Sequence, residues 1–269
     1  MPLGHWITEF LNQILGGPVV ALLRALGAEP TDVHHPIPQH VATEILIVVV
    51  TILFAAWFKR RLSVERPGGL QQCVEALLTN PMSVGARDLL NDIVGHGATR
   101  YLPMIGTIGL FVLLCNLISV IPGFESPTAT ASVPFGCALT VFAYYNFCGV
   151  RRHNPLGYAK HFLGPSIFLA PLMFPIEIIS NLARLLSLTV RLWVNMLVSE
   201  LLYMLFLGMT LSVFAGASKI NVLGYALAPI PALVPLVFIF LHIFVAFLQA
   251  FVFTLLPVIY VSGAVAEEH

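Results

Sequence analysis

Five long apolar segments, separated by shorter polar stretches, organise the chain. They cover residues 41–58, 101–121, 135–150, 166–213 and 222–264. Because a helix needs about 20 apolar residues to cross a bilayer, each of the first three segments predicts one crossing. The last two are roughly twice that length, so each is predicted to be split or steeply tilted. The pattern predicts an all-α membrane protein with about five membrane helices, the last two forming a long tilted hairpin over residues 166–264.

Polar and proline-rich stretches mark where the helices are expected to end. Short loops are predicted at residues 122–134, 151–165 and 214–221. Pro229, Pro231 and Pro235 interrupt the start of the last apolar segment. Because proline lacks a backbone N–H, the last regular helix is predicted to begin near residue 232.

The N-terminal stretch, residues 5–27, is apolar but differs from the five segments. It carries Glu9, a Gly-Gly-Pro break and Arg24, which favours a short interfacial helix over a crossing or a cleaved signal. A polar, proline-rich loop is predicted over residues 28–40. We therefore predict an outer N-terminal segment, residues 1–40, followed by a single helical membrane domain over residues 41–269.

Basic clusters predict the orientation in the membrane. Lys59, Arg60 and Arg61 follow the first apolar segment, and Arg151 and Arg152 follow the third. Since basic residues accumulate on the cytoplasmic side, the N-terminus is predicted outside and the C-terminus in the cytoplasm. Residues 68–97 are too polar to cross and predict an amphipathic helix on the cytoplasmic surface, broken at Asn80-Pro81.

Composition supports a membrane protein and excludes several other classes. Hydrophobic residues make up 58% of the chain and charged residues 10%, and the mean hydropathy is +0.91. The formal net charge is zero, so no basic surface for nucleic acid is indicated. No phosphate-binding loop, nucleophile elbow or metal-ligand spacing occurs, so we expect no catalytic site of its own, no metal and no cofactor.

Polar side chains in the fourth apolar segment share one face of the predicted helix. At about 100° per residue, three polar side chains lie within about 40° of Arg191 around the helix axis. They are Glu177, Ser180 and Asn195. Glu200 lies about 180° from Arg191 and must face something different. Arg184 shares the stripe, but near a helix end an arginine commonly snorkels to the headgroups. A charge at mid-bilayer costs several kcal/mol, so Arg191 predicts a functional site.

The last apolar segment carries its own polar pair. His242 and Gln249 are seven residues apart, which places them on one helix face about 10 Å from each other. Taken singly, His242 is also compatible with a hydrogen-bonded core histidine. Gln249 is also compatible with a side chain that hydrogen-bonds between packed helices. Together with the stripe on the preceding segment, the pair predicts an ion path.

Three stretches resemble a known family. SLTVRLWVNMLVSE, residues 187–200, resembles the signature of subunit a of F-type ATP synthases, with an arginine, an asparagine four later and an acid nine later. HIFVAFLQAFVF, residues 242–253, is similar to that family's last helix, and LLCNLISVIPGF, residues 113–124, to its second crossing, with Asn116 at a matching polar position. The resemblance covers roughly residues 40–269 and is strongest over 175–265.

The resemblance implies a proton-channel stator in a bacterial inner membrane. Arg191 would separate two aqueous half-channels and hold an ionised carboxylate of the rotating c-ring. The outer half-channel would contain Glu200 paired with His242, together with Asn195, Gln249 and Asn116. Glu177 and Ser180 would line the cytoplasmic half-channel. The implied partners are the c-ring, the peripheral stalk subunit b, other ATP synthase subunits and membrane lipids.

One stretch departs from the family, and two other hypotheses remain. Residues 126–131, Ser-Pro-Thr-Ala-Thr-Ala, stand where relatives commonly carry Asp- and Asn-type residues. A secondary ion transporter with a midplane site would predict inverted repeats, and the chain contains no detectable repeat. A non-transporting assembly subunit of a respiratory complex would explain the hydrophobicity but not a Glu200–His242 pair.

Overall fold

The computed structural model describes residues 3–27, 35–63, 67–69, 71–72, 75, 93, 100–121, 123–161, 170–217 and 229–265. Over these ranges the secondary structure is helical apart from turns and short connections, and no strand occurs in them. The prediction of an all-α protein is confirmed. Most of the predicted surface helix, residues 68–97, lies outside the described residues.

Six long helices, α1 to α6, make up the described fold. Their bounds are Leu3–Ala25, Gln39–Lys59, Leu102–Leu117, Ser132–His161, Ala170–Ala217 and Pro229–Val265. Two short 3-10 turns, Ile118–Val120 and Pro127–Ala129, lie between α3 and α4. All six helices are long and apolar enough to cross a membrane. The sixth candidate, beyond the five expected, is α1, which runs through its Gly-Gly-Pro stretch.

The last two helices are the longest, and neither is split. Helix α5 has 48 residues and α6 has 37, which at 1.5 Å per residue gives lengths of about 72 and 56 Å. The hydrocarbon core of a bilayer is only about 30 Å thick, so helices of this length must tilt strongly or project beyond it. Of the two predicted possibilities, splitting is excluded for α5 and α6.

Four helix limits differ from the prediction. Helix α4 begins at Ser132, inside the predicted loop 122–134, and α5 continues to Ala217, inside the predicted loop 214–221. Helix α4 continues to His161, so residues 151–161 are helical and not a loop. Arg151 and Arg152 end the apolar stretch, but a helix satisfies its backbone internally and can continue into a polar environment. Helix α6 begins at Pro229 and not near residue 232. The first turn of a helix has backbone N–H groups without helical partners, so proline is tolerated there.

The described chain forms two compact units. The first comprises Met1–Trp57, Leu113–Thr130 and Val194–Phe247, and the second comprises Phe58–Val112, Ala131–Trp193 and Leu248–His269.

In the first unit, α1 is tied to the segment that precedes α2. The Asn12 side chain donates to the Ile37 carbonyl at 3.0 Å and accepts from the Ile37 N–H at 2.9 Å. At the other end of α1, the Gly4 N–H donates to the Gly123 carbonyl at 3.1 Å. A side chain at Gly4 would meet that carbonyl oxygen at 2.9 Å, so glycine is required for this close approach.

In the second unit, α3 and α4 pack beside α5 and α6. Ile105 of α3 and Val258 of α6 are fully buried and belong to one apolar cluster. The Tyr145 hydroxyl of α4 donates to the Asn181 side-chain oxygen of α5 at 2.8 Å. The ring of Tyr145 also lies 5.6 Å from the ring of Tyr260, measured between centroids.

Candidate functional site

A buried polar cluster in the first unit is centred on Asn116, near the C-terminus of α3. The Asn116 side chain is fully buried, and its Oδ1 accepts a hydrogen bond from the Thr128 hydroxyl at 2.6 Å. The hydroxyl of Ser126 lies 2.7 Å from that of Thr128 and donates to the Cys115 carbonyl at 3.0 Å. The loop over residues 126–131 thus supplies one hydroxyl partner, Thr128, to the Asn116 side chain, and Ser126 in turn contacts Thr128.

His242 of α6 joins this cluster. Its Nε2 lies 2.9 Å from the Ser119 hydroxyl and 3.2 Å from the Asn116 backbone carbonyl. Its Nδ1 lies 2.7 Å from the Ser199 hydroxyl of α5. The imidazole is buried, and both ring nitrogens have partners. In the described structure His242 is therefore a fully hydrogen-bonded member of the cluster.

Glu200 of α5 reaches the same cluster by a different contact. Its carboxylate accepts a long hydrogen bond of 3.4 Å from the Ser126 backbone N–H. Glu200 and His242 line one small void of about 10 Å³, but among the described residues no hydrogen bond or ion pair joins them. The predicted direct pair is not formed in this structure, because Ser199, one residue earlier on α5, occupies the Nδ1 side of the imidazole.

A larger cavity opens beside Glu200. It has a volume of about 280 Å³ and is lined by polar residues of α2, the loop and α5, among them His40, Glu125, Ser126, Thr130 and Glu200. A single water needs roughly 10–15 Å³ of such space, so the cavity can hold a chain of waters. Glu200 therefore borders this cavity and also contacts the buried cluster through Ser126.

The polar stripe on α5 differs from the buried cluster around Asn116, because none of the side chains in the stripe is fully buried. Arg191 and Asn195 are exposed, whereas Glu177 and Ser180 are half-buried. Within the described part of the chain, none of these four side chains makes a hydrogen bond or an ion pair. The structure thus presents an unpaired guanidinium on a helix made almost entirely of apolar residues.

Arg184, which shares the stripe, has a partner of its own. Its guanidinium carbon lies 5.5 Å from the ring centroid of Tyr260. At that distance the ring face attracts the cation.

Gln249, on α6 in the second unit, is almost completely buried at 1% exposure. Its side-chain oxygen has no hydrogen-bond partner among the described residues.

Sequence reasoning missed the hydroxyl groups. Ser119, Ser126, Thr128 and Ser199 all contact the cluster, and none was singled out beforehand. Ser119 follows Asn116 by three residues, close to one helical turn, so their proximity was predictable. The positions of the other three depend on how α5, α6 and the loop pack, which spacing along the chain does not reveal. Asn181, bonded to Tyr145, was likewise missed.

Potential metal ligands do not cluster in the described ranges, where no group of three or more His, Cys, Asp or Glu side chains could hold an ion.

These features define a multi-pass α-helical membrane protein with buried polar side chains in its helices and, on one of them, an arginine that has no partner among the described residues. A family model described as "ATP synthase A chain" matches residues 41–262. The chain belongs to the ATP synthase subunit a family.

Individual relatives agree with the family model. ATP synthase subunit a of Koribacter versatilis (strain Ellin345) is 38% identical over 269 residues, which covers 100% of both chains. The protein of the same name from Solibacter usitatus (strain Ellin6076) is 40% identical, covering 96% of this chain and 99% of its own. That of Campylobacter fetus subsp. fetus (strain 82-40) is 38% identical over 229 residues, covering 84% and 90%.

Proposed function

We propose that this chain is the proton-channel stator subunit of an F-type ATP synthase. It supplies two aqueous half-channels separated by Arg191 and exchanges protons with carboxylates of the c-ring. Proton flow through that ring drives rotation, and nucleotide chemistry takes place on other subunits. The observation that carries the proposal is the exposed, unpaired guanidinium of Arg191 on an apolar helix.

The environment of Arg191 calls for a partner on another protein. A charge at bilayer depth is costly unless it meets an opposite charge, a cavity or the headgroups. A guanidinium keeps its proton under the conditions that proteins meet, so it cannot escape this cost by neutralisation. A ring carboxylate passing in front of Arg191 would satisfy the guanidinium and would be held ionised by it. A proton could then not cross at this point and would have to travel round with the ring.

The outer half-channel in this proposal runs from the large cavity to the buried cluster. Water in the cavity of about 280 Å³ reaches Glu200. From Glu200 the path continues to His242 and Asn116, whose hydroxyl partners offer a chain of groups that both donate and accept. Asn195, exposed on α5, and Gln249, buried on α6 with an oxygen that has no partner among the described residues, are also assigned to this half-channel.

The cytoplasmic half-channel is assigned to Glu177 and Ser180. Both lie toward the N-terminal end of α5, are half-buried and have no partner within the described residues. The basic clusters that follow the first and third apolar segments support the direction, with the N-terminus outside and the C-terminus in the cytoplasm.

The partners in this proposal are the c-ring, the peripheral stalk subunit b, other ATP synthase subunits and the lipids of a bacterial inner membrane. Broad apolar surfaces on α2 and α5 fit such surroundings. Exposed large apolar side chains on α2 include Val50, Ile52, Leu53, Phe54 and Trp57. Those on α5 include Ile179, Leu186, Leu201, Leu205 and Leu211.

The test replaces Arg191 by alanine in the complete synthase. Arg191→Ala should abolish ATP synthesis driven by a proton gradient in membrane vesicles, because the two half-channels are no longer separated and protons leak past the ring. Arg184→Ala is the matched control, seven residues away on the same helix. Its loss removes only the contact with Tyr260, worth about 0.5–2 kcal/mol, so most synthesis should remain.

Normal synthesis in assembled Arg191→Ala complexes would refute the proposal. The transporter hypothesis makes a separate prediction, namely ion transport by the purified chain alone in lipid vesicles. The stator proposal expects no transport until the ring is present.

A further inference from the structure

The contacts of His242 determine where its hydrogen atoms lie. Nε2 faces two oxygens, the Ser119 hydroxyl at 2.9 Å and the Asn116 backbone carbonyl at 3.2 Å. The Ser119 hydroxyl itself donates to the same Asn116 carbonyl at 3.1 Å. Nδ1 faces only the Ser199 hydroxyl, at 2.7 Å.

Only one arrangement of the neutral imidazole satisfies all these contacts. A carbonyl oxygen can only accept, so a bare Nε2 beside the Asn116 carbonyl would place two acceptors together. Nε2 must therefore carry the hydrogen, and Nδ1 must accept from Ser199. The hydrogen bonds then run in one direction, from Ser199 to His242 to Ser119 to the Asn116 carbonyl, with each hydroxyl donating once.

We propose that Ser199 is a positioning residue that fixes His242 in the Nε2–H form and keeps Nδ1 without a hydrogen, so that this nitrogen can take a proton. This inference rests on the proposed function, in which His242 relays protons in the outer half-channel. It replaces the expected direct Glu200–His242 pair by a serine that holds the ring from the side of α5.

The same hydroxyl also serves the charged form of the ring. A hydroxyl has one hydrogen to donate and two lone pairs to accept, and it can rotate. When Nδ1 takes up a proton, the Ser199 hydroxyl turns and accepts the new N–H, while Nε2–H keeps its oxygen partners. The Glu200 carboxyl gives one proton to Nδ1, and one proton then leaves from Nδ1 toward a carboxylate of the c-ring, so the imidazole returns to the neutral Nε2–H form. Both states of His242 therefore remain fully hydrogen-bonded.

The neighbouring groups fit this role. Glu200 is adjacent to Ser199 in sequence and lines the small void that His242 also lines, so a carboxyl group shares that void with the imidazole. Tyr203, one helical turn after Ser199, lines the same void. Among the described residues, Nε2 faces the Ser119 hydroxyl and the Asn116 carbonyl, whereas Nδ1 faces the Ser199 hydroxyl.

The experiment compares two substitutions of nearly equal shape in the complete synthase. Ser199→Thr keeps the hydroxyl, whereas Ser199→Val removes it. We expect gradient-driven ATP synthesis in membrane vesicles to stay within about twofold of normal for threonine. It should fall roughly threefold to tenfold for valine, the effect of losing one hydrogen bond to a proton-carrying group. The amount of assembled complex is measured for each, and Ser199→Ala provides a smaller variant without the hydroxyl.

A double-variant comparison distinguishes this inference from the proposed function. In a His242→Ala background, Ser199→Val should slow synthesis no further, because the residue through which it acts is gone. Equal rates for the threonine and valine variants, or an undiminished valine effect in that background, would overturn the positioning role while leaving the stator function intact. Normal synthesis in His242→Ala would instead remove His242 from the proposed path.

Discussion

Three buried side-chain atoms have no hydrogen-bond partner in the described part of the chain: Glu44 Oε1, Asn116 Nδ2 and Gln249 Oε1. Leaving a buried polar atom unpaired costs about 1–3 kcal/mol, so each such atom calls for a reason. Asn116 and Gln249 are among the residues assigned to the proton path. Amide groups with spare hydrogen-bonding capacity are suited to a path along which bonds must form and break.

The hydroxyl of Thr128 should matter for stability, because it holds the buried oxygen of Asn116. Thr128→Val preserves the shape and leaves that oxygen without its partner. We expect the free energy of unfolding in detergent to fall by about 1–3 kcal/mol. Thr130→Val, at an exposed position in the same loop, should change it by less than about 0.5 kcal/mol. A comparable loss at both positions would show that the Asn116 contact contributes nothing.

At the scale of elements, close packing between α3 and α6 depends on a single glycine. A Cβ added at Gly109 would overlap the Thr254 hydroxyl oxygen, and that hydroxyl is itself bonded to the Ala250 carbonyl at 2.8 Å. A Cβ added at Gly106, one turn earlier on α3, would meet nothing within 4 Å among the described residues. The close approach of α6 therefore requires a glycine at position 109 but not at position 106.

Gly109→Ala should destabilise the α3–α6 contact by about 1–3 kcal/mol in a detergent unfolding measurement, because the new methyl group overpacks it. Combining it with Thr254→Ala should recover part of the loss, since the nearest remaining atom, the Thr254 Cβ, would lie 3.7 Å away. Gly106→Ala should be neutral or stabilising by up to about 1 kcal/mol, because alanine favours helix. If Gly109→Ala behaved like Gly106→Ala, the close approach would be refuted.

At the scale of the whole molecule, the proposed function needs an aqueous entrance on the outer side. The cavity beside Glu200 is proposed as that entrance, and the Glu125 carboxylate in its lining makes it attractive to cations. The predicted orientation places this cavity on the side of the membrane opposite the basic clusters.

A cysteine in this cavity should report both the entrance and the orientation. Thr130→Cys should react with a membrane-impermeant thiol reagent added from outside, faster with a cationic reagent than with an anionic one, because the lining is anionic. The attached group should then slow ATP synthesis. Ser132→Cys, exposed two residues away and outside the cavity lining, should show neither the charge preference nor the inhibition.

The opposite result would be equally informative. Modification of Thr130→Cys only from the cytoplasmic side would reverse the orientation. Complete modification from outside without any loss of synthesis would move the entrance elsewhere.

The sequence by itself determined the class of the protein and the residues that require explanation. Apolar length predicted about five crossings, because about 20 residues must span the hydrocarbon core, whereas the structure adds α1 as a sixth helix that is long and apolar enough to cross. Helical periodicity placed Arg191 and Asn195 on one stripe and Glu200 on the opposite face, because 3.6 residues per turn is a property of the backbone alone. Helix limits did not follow from the apolar pattern, because charge at residues 151–152 marks the end of an apolar stretch but not of a helix.

Only the tertiary structure decided which of these residues meet. Hydrogen bonds to His242 join α6 to Ser199 of α5 and to Ser119 after α3, positions 43 and 123 residues away in sequence. Such contacts depend on helix rotation and register, and a shift of one residue turns a side chain by about 100°. That is why the sequence singled out Glu200 and His242, whereas the structure puts the neighbouring serine against the imidazole.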